Sequence, residues 1–225
     1  MHEAARFIRD QILAGEVRPG QKIDQEAVAS ALGISRLPVR EALIVLEADG
    51  LVENIPRRGA FVSRLAPSDI HDHYEAYGVL SGLAASRAAT LMDGEALDRL
   101  QRIADRMSQT DDPREQDQLN YEFHREINRA GQSRRLVAVL RTLSASMPTH
   151  FFEFNSEFRP QAEKEHQEIL DALRARDGRV AADGVASHFR NVGNQAVTTL
   201  RATGYWDDDA TEANPEPAGI AAKPR

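Results

Sequence analysis

The chain has 225 residues, of which 41% are hydrophobic and 28% charged, so it can bury a core and is not disordered by composition. The absence of cysteine excludes disulfides, thiolate metal sites and a cysteine nucleophile, and a net charge of −7 argues against coating nucleic acid by bulk charge while leaving room for a local basic face. No apolar run approaches the ~20 residues needed to cross a bilayer, and Met1-His2-Glu3-Ala4-Ala5 lacks the basic and apolar blocks of a signal peptide, so a cytoplasmic protein without membrane contact is expected.

Charge divides the chain in two. Residues 1–64 hold nine Lys/Arg and nine Asp/Glu and sum to zero, so the remainder carries the whole −7. In this first part Ala5, Ile8 and Ile12 share a helical face that Gly15 stops. Pro19-Gly20 turns the chain, and Asp24 is placed to cap a second helix with Ala27, Val28, Ala31 and Leu32 as its buried positions. Gly33 ends that helix and Ser35 is expected to cap a third, where Pro38 is tolerated in the first turn and Ala42, Leu43 and Leu46 face the core. Asp49-Gly50 closes it. Leu51 to Ile55 and Ala60 to Ser63 read as two short strands joined by the turn Pro56-Arg57-Arg58-Gly59.

From Pro67 to about Trp206 no strand signal stands out. Helical spacing of apolar residues (Leu97, Leu100, Ile103, Ala104; Phe123, Ile127, Ala130; Ile169, Leu170, Leu173) predicts six helices, at 67–92, 94–109, 113–130, 133–156, 158–176 and 179–204. Breaks fall at Gly94, Asp111-Asp112-Pro113, Gly131 and Asp177-Gly178, and Pro148 predicts a kink in the fourth helix. The expected architecture is mainly α: a winged helix-turn-helix over 1–64, an all-α bundle over 65–206, and a disordered acidic, proline-bearing tail over 207–225.

A helix, a tight turn at Gly33 and a second helix opening at Ser35 make a helix-turn-helix, and the hairpin behind it a wing. The first turn of the second helix would enter the major groove. There Arg36 and Arg40, four apart on one face, match the O6/N7 edge of guanine, Leu37 suits a thymine methyl, and Ser35 a phosphate. Arg57, Arg58 and Gly59 form the wing tip, where arginine suits phosphates or a narrow minor groove. Each arginine alone reads as an ordinary solvated charge; the ordered set points to double-stranded DNA.

The segments Ile34-Ser35-Arg36-Leu37-Pro38-Val39-Arg40-Glu41-Ala42-Leu43, Glu47-Ala48-Asp49-Gly50-Leu51-Val52 and Arg57-Arg58-Gly59-Ala60-Phe61-Val62 resemble the winged-helix signature of GntR-family bacterial transcription regulators. Leu13-Ala14-Gly15 and Arg18-Pro19-Gly20 match as well, and the helical remainder is similar to the FCD-type effector domain of that family's FadR subfamily. Leu37 departs from the pattern, which usually has threonine there.

His124, His166 and His188 fall on three different predicted helices, with Asn120 one turn before His124. Imidazoles from separate helices can meet on a metal in a bundle core, although scattered histidines are more often polar caps or satisfied core groups. The resemblance implies a divalent metal held by an aspartate, a histidine four residues later and two further histidines on the last two helices. His124, His166 and His188 match those places, Asn120 stands where the aspartate is usual, and zinc or nickel is the expected occupant. It also implies an Arg and a Glu four apart on the domain's first helix, where this chain has Tyr77 and Ser81. Tyr77, with Arg141 and Asn191 by helix position alone, is a candidate effector contact. His71, His73 and His150 are expected at the surface or at helix ends.

These readings predict a ligand-responsive DNA-binding regulator, a repressor whose operator affinity is modulated by a small organic, often carboxylate, effector. It would act as a homodimer on a pseudo-palindromic operator, because one recognition helix reads too few base pairs to be selective. The alternative is a metal-dependent enzyme with a DNA-targeting first domain. Against it, the chain lacks His-Glu-x-x-His, Gly-x-Ser-x-Gly, Gly-x-Gly-x-x-Gly and a Walker loop.

Overall fold

The computed structural model describes residues 2–145 and 158–206. α1 (His2–Leu13) buries Ala5, Ile8 and Ile12, as their spacing predicts. α2 (Gln25–Leu32) starts at Asp24, whose carboxylate accepts from the backbone N–H of Glu26 at 2.9 Å and of Ala27 at 3.1 Å. Its buried face differs from the expected one. Val28 and Ala29 are buried, Leu32 is partly buried, and Ala27 and Ala31 are exposed. Alanines at 27, 29 and 31 are equally apolar, so the choice of face falls to the helix's contact with α3 (Arg36–Ala48), whose Val39, Ala42, Leu43 and Leu46 are buried. Ser35 is the N-cap residue of α3, yet its side chain makes no capping hydrogen bond, contrary to expectation. Gly33, at φ 63°, makes the left-handed turn between the two helices.

β1 (Val52–Ile55) and β2 (Gly59–Val62) form the antiparallel hairpin, with Val52 opposite Val62 and Ile55 opposite Gly59. The strands start one residue later and one residue earlier than the sequence suggests, because the pairing begins at Gly59. Ile23 donates its N–H to Ala60 at 2.8 Å, so the segment before α2 lines the hairpin edge. Beneath them Arg9 of α1 reaches the C-cap residue of the second helix of the motif, Asp49, at 2.8 Å; both side chains are almost wholly buried.

Six further helices are described: α4 (Pro67–Leu91), α5 (Gly94–Gln109), α6 (Pro113–Ala130), α7 (Arg134–Ala145), α8 (Arg159–Arg174) and α9 (Gly178–Ala202). Asp93, Asp112 and Asp177 cap α5, α6 and α9 by accepting first-turn backbone N–H groups, which is why the breaks fall where the sequence places them. The expected continuation of the fourth helix to residue 156, its kink at Pro148, His150 and the tail 207–225 lie outside the described residues. α4 and α9 run antiparallel in close contact. A Cβ at Gly82 would lie 2.8 Å from the carbonyl oxygen of Ala182, and one at Gly193 would lie 3.0 Å from Cβ of Tyr74. Glycine is required at position 82 because only a bare backbone lets the two helices approach so closely there, and at Gly193 a side chain would be tightly crowded. Leu100, Leu119, Phe123, Ile127, Ile169, Leu170 and Leu173 fill the bundle core around this pair.

The end of α9 belongs to the other core: Leu200 and Tyr205 pack among the winged-helix residues. Tyr205 donates to the Ser63 carbonyl at 3.3 Å, Trp206 to that of Leu65 at 2.7 Å, and Arg18 to that of Gly204 at 3.1 Å. A cavity of about 90 Å³ lies at this junction, bounded by Ile12, Asp49, His73, Tyr74 and Tyr205. His73 is therefore no surface residue, since its Nε2 is shielded from solvent. His71 is partly buried. No described helix is long and apolar enough to cross a membrane.

Candidate DNA-reading surface and histidine centre

The buried stripe of α3 turns its opposite face to solvent. Arg36, Leu37 and Arg40 are exposed together there, Leu37 to 64% despite being apolar. Ile44, one turn beyond Arg40, is equally exposed and extends the same face; the spacing of four from Arg40 is the signal that sequence reading passed over. The Ser35 hydroxyl, free of a capping bond, stands at the start of this face. At the wing, Arg57 adopts φ 64° and Arg58 places its guanidinium 5.5 Å from the centre of the Phe61 ring, which braces it at the hairpin. Lys22, also overlooked, runs beside Gly59, where an added Cβ would meet its Cε at 3.0 Å. The α3 face offers hydrogen-bond donors beside an apolar strip, and the wing and Lys22 add further cations, the side-chain types that suit base edges and phosphates.

In the bundle, α6, α8 and α9 bring His124, His166 and His188 together, all buried, with one potential ligand atom from each lying within 4.8 Å of the others. Nε2 of His166 is 3.2 Å from Nε2 of His124. That separation serves one N–H···N hydrogen bond, and it is also close to the roughly 3.3 Å between nitrogens that share a tetrahedral ion with ~2.0–2.1 Å bonds. His188 directs Nδ1 at Oε2 of Glu165, 2.8 Å away, so its Nε2 is left without a hydrogen-bond partner, as are Nδ1 of His124 and Oδ1 of Asn120. Unsatisfied buried nitrogens on two of the three imidazoles, with the Asn120 oxygen one helical turn before His124, are what a divalent cation would satisfy. Burial lowers the pKa of His124 well below the ordinary histidine value, with His188 and His166 adding to it, and burial followed by His188 does the same to His166. Both rings are thus neutral, the ligating form.

Glu165 is the residue that sequence reading missed. Burial pushes its carboxyl pKa up, but hydrogen bonds from His188, Gln161 at 2.7 Å and Asn191 at 2.6 Å outweigh burial and hold it below the usual range. It is therefore a charged group behind His188. Its place next to His166 in the chain gave no signal, because adjacent residues on a helix do not share a face.

The three effector candidates separate. Asn191 stands at Glu165, away from the others. Tyr77 and Arg141 face one cleft of about 290 Å³ between α4, α6 and α7. The buried Tyr77 ring also packs edge-on against Phe189 with centres 4.5 Å apart, and Phe189 in turn lies 4.6 Å from His124. Ser81, the other position of that pair, is buried and donates to Asn128 at 2.7 Å.

Comparison with known proteins places both parts. Residues 2–62 match the model of bacterial regulatory proteins of the gntR family, and residues 72–191 match that of the FCD domain. The chain belongs to the GntR family and carries an FCD domain. An uncharacterised HTH-type transcriptional regulator of Mycobacterium tuberculosis is 31% identical over 150 residues, 67% of this chain. The match spans 62% of that relative's own length. The HTH-type transcriptional repressor RspR of Escherichia coli K12 is 25% identical over 204 residues, 87% of this chain and 88% of that protein. Among solved structures, Escherichia coli McbR/YncC superposes with a TM-score of 0.64 at 20% identity, covering 84% of this chain and 92% of that one. A GntR regulator from Rhodococcus sp. RHA1 does so with 0.63 at 24%, covering 87% and 96%. These two establish the fold.

Proposed function

We propose that this protein is a ligand-responsive transcription regulator, with residues 1–64 as the DNA-binding unit and residues 65–206 as the effector-binding and dimerising unit. The observation that carries this reading is the solvent face of α3, where Arg36, Leu37 and Arg40 stand exposed beside the Gly33 turn while the other face is locked in a core. Ser35, Arg57, Arg58 and Gly59 supply the flanking backbone contacts. We read the protein as a cytoplasmic repressor, in keeping with the name of its Escherichia coli relative. Two copies would read the two halves of a pseudo-palindromic operator. Val79 and Leu83, apolar and 55% and 45% exposed on α4, support a homodimer through the helical unit. The family placement favours this reading over a metal-dependent enzyme.

His124, His166, His188 and Asn120 would hold a divalent ion, zinc or nickel, with Glu165 orienting His188. Once bound, the ion offers a Lewis-acidic point for oxygen atoms of the effector. The neutral Asn120 leaves the ligand set itself without negative charge, and the Glu165 carboxylate restores one behind it.

The test is selection of bound sequences from random DNA, followed by titration. Arg36→Ala and Arg40→Ala should each cost about 1–3 kcal/mol on the selected site and less on random DNA. Arg58→Ala should weaken both and flatten the salt dependence. Equal losses on both DNAs for all three variants would remove base readout from α3, and recovery of no preferred sequence would overturn the regulator reading.

A further inference from the structure

Between the two units lies a cavity that neither the reading helix nor the histidine centre uses. It measures about 90 Å³, and both units supply its walls: Ile12 and Leu51 from the winged helix, Ile70 and Tyr74 from α4, Ala196 and Leu200 from α9. Three polar side chains interrupt this largely apolar lining, Asp49, Asp69 and His73. No Lys or Arg is among the lining residues. By volume the space holds about three waters at roughly 30 Å³ each, but an ordered water needs two or more polar partners and most of this wall offers none.

His73 brings to the cavity a polar atom that nothing answers. Its ring donates to the backbone carbonyl of Leu143 on α7, while Nε2 is shielded from solvent and has no partner among the described residues. Nδ1 therefore carries the proton of the neutral ring, and Nε2 is a bare acceptor. Burial lowers the His73 pKa by more than the Leu143 carbonyl and the nearby Asp49 carboxylate raise it, so the ring is neutral at neutral pH. Asp49 receives Arg9 at Oδ2, 2.8 Å away, yet a carboxylate accepts about four hydrogen bonds, and this one is only 8% exposed. Asp69, an exposed residue, adds a second carboxylate on the solvent side. An unfilled imidazole nitrogen beside a nearly buried carboxylate lacks a donor, and a positively charged donor satisfies both.

We propose that this junction cavity binds a short primary alkylammonium ion, whose ammonium donates to His73 Nε2 and Asp49 and whose chain lies against Ile12, Ile70 and Leu200. An ammonium offers three N–H donors and a charge; a hydroxyl offers one donor and no charge, and a carboxylate is repelled. The small volume limits the chain to about three carbons. The site shares no residue with the histidine centre or with the cleft of Tyr77 and Arg141. It rests on the cavity's own residues and not on the regulator reading. A bound ion bridges α4 and the residue that ends α3, at the place where the two units meet.

The experiment is titration of the full-length, chelator-stripped protein at neutral pH with n-propylammonium chloride, 1-propanol and sodium propionate, followed through the methyl resonances of Ile12 and Ile70. A ligand this small binds no tighter than on the order of tens of micromolar, so the series extends into the millimolar range. Propylammonium should shift both methyls saturably with one shared dissociation constant, 1-propanol should bind at least about tenfold more weakly, and propionate should have no effect. His73→Phe keeps a ring without its acceptor and should weaken propylammonium about tenfold or more. Asp69→Asn, at an exposed position, keeps an oxygen for the Ala66 N–H and should weaken binding severalfold. If His73→Phe loses its melting transition, Asp69→Asn alone decides. Absence of saturable shifts, or binding indifferent to these changes, would overturn the proposal. So would 1-propanol binding as tightly as propylammonium, which would reduce the cavity to an apolar void. No DNA enters the titration, so its failure leaves base readout by α3 untouched.

Discussion

Replacing Arg9 by methionine tests how the recognition helix is held. The Arg9–Asp49 contact is 2.8 Å long, and the two side chains are 7% and 8% exposed. It ties α1 to the residue that ends α3. Methionine keeps much of the arginine stem but strands the Asp49 carboxylate in a site nearly closed to water. Losing one partner of a buried pair costs about 3–5 kcal/mol, whereas an exposed pair costs ~0–1. At about 1.4 kcal/mol per tenfold, the lower figure raises the opened fraction of the winged helix by more than ~100-fold. Hydrogen exchange of α1 and α3 amides measures this directly, and operator affinity should fall in parallel. The helical unit has its own core, so its amides should keep their protection. The double change Arg9→Met with Asp49→Leu removes both charges and should recover most of the loss. A single-variant cost under ~1 kcal/mol, or a double variant no better than the single, would refute the reasoning by showing that water reaches the pair.

Protein purified without chelator or histidine tag should contain about one divalent ion per chain by elemental analysis, lost in His166→Ala; metal indifferent to that change would reduce the histidines to polar lining. Glu165→Gln keeps the shape of the His188 contact but removes its charge, and should weaken metal binding about 10–100-fold, while Asn120→Asp should tighten it. In chelator-stripped protein the folded state holds His124 and His166 neutral below the ordinary histidine range, so the unfolded state binds more protons on acidification. Stability should be full above about pH 6.5 and decline as the pH falls below it; a melting temperature that rises on acidification would contradict this. Sedimentation should find a dimer at micromolar concentration without DNA, and a fragment of residues 1–64 should bind a full operator far more weakly because the two half-sites are no longer coupled.

Much of this molecule can be read along the chain because its signals are local. Asp24, Asp93, Asp112 and Asp177 each satisfy amides two or three residues ahead, so helix starts need no tertiary information. The face of α3 that meets solvent follows from a helical period in which Val39, Ala42, Leu43 and Leu46 are apolar and Arg36 and Arg40 are charged. The helix-turn-helix and its charged tip were legible for that reason, and so were the separate helices of the three histidines. Where the pattern is degenerate, as in the alanine-rich α2, local reading chose the wrong buried face, because equal hydrophobicity leaves the decision to the neighbouring helix. Ser35 has the composition of a capping residue but does not cap, and sequence cannot show which of two uses a hydroxyl takes.

What lies beyond the sequence is everything that depends on convergence of distant residues. His124 and His166 are 42 positions apart and their ring nitrogens 3.2 Å, a meeting set by how α6, α8 and α9 pack. Glu165 becomes a charged support only because α9 brings His188 and Asn191 to it. Tyr77 and Arg141 line one cleft only once α4, α6 and α7 enclose it, and Asn191, chosen beside them by position, hydrogen-bonds Glu165 instead. The sequence by itself determined the elements, their caps and the reading face, since these follow from neighbours within a turn. Tertiary structure alone decided which polar groups are buried together, because the cost of burying a charge or an unpaired donor depends on partners that only the packed bundle supplies.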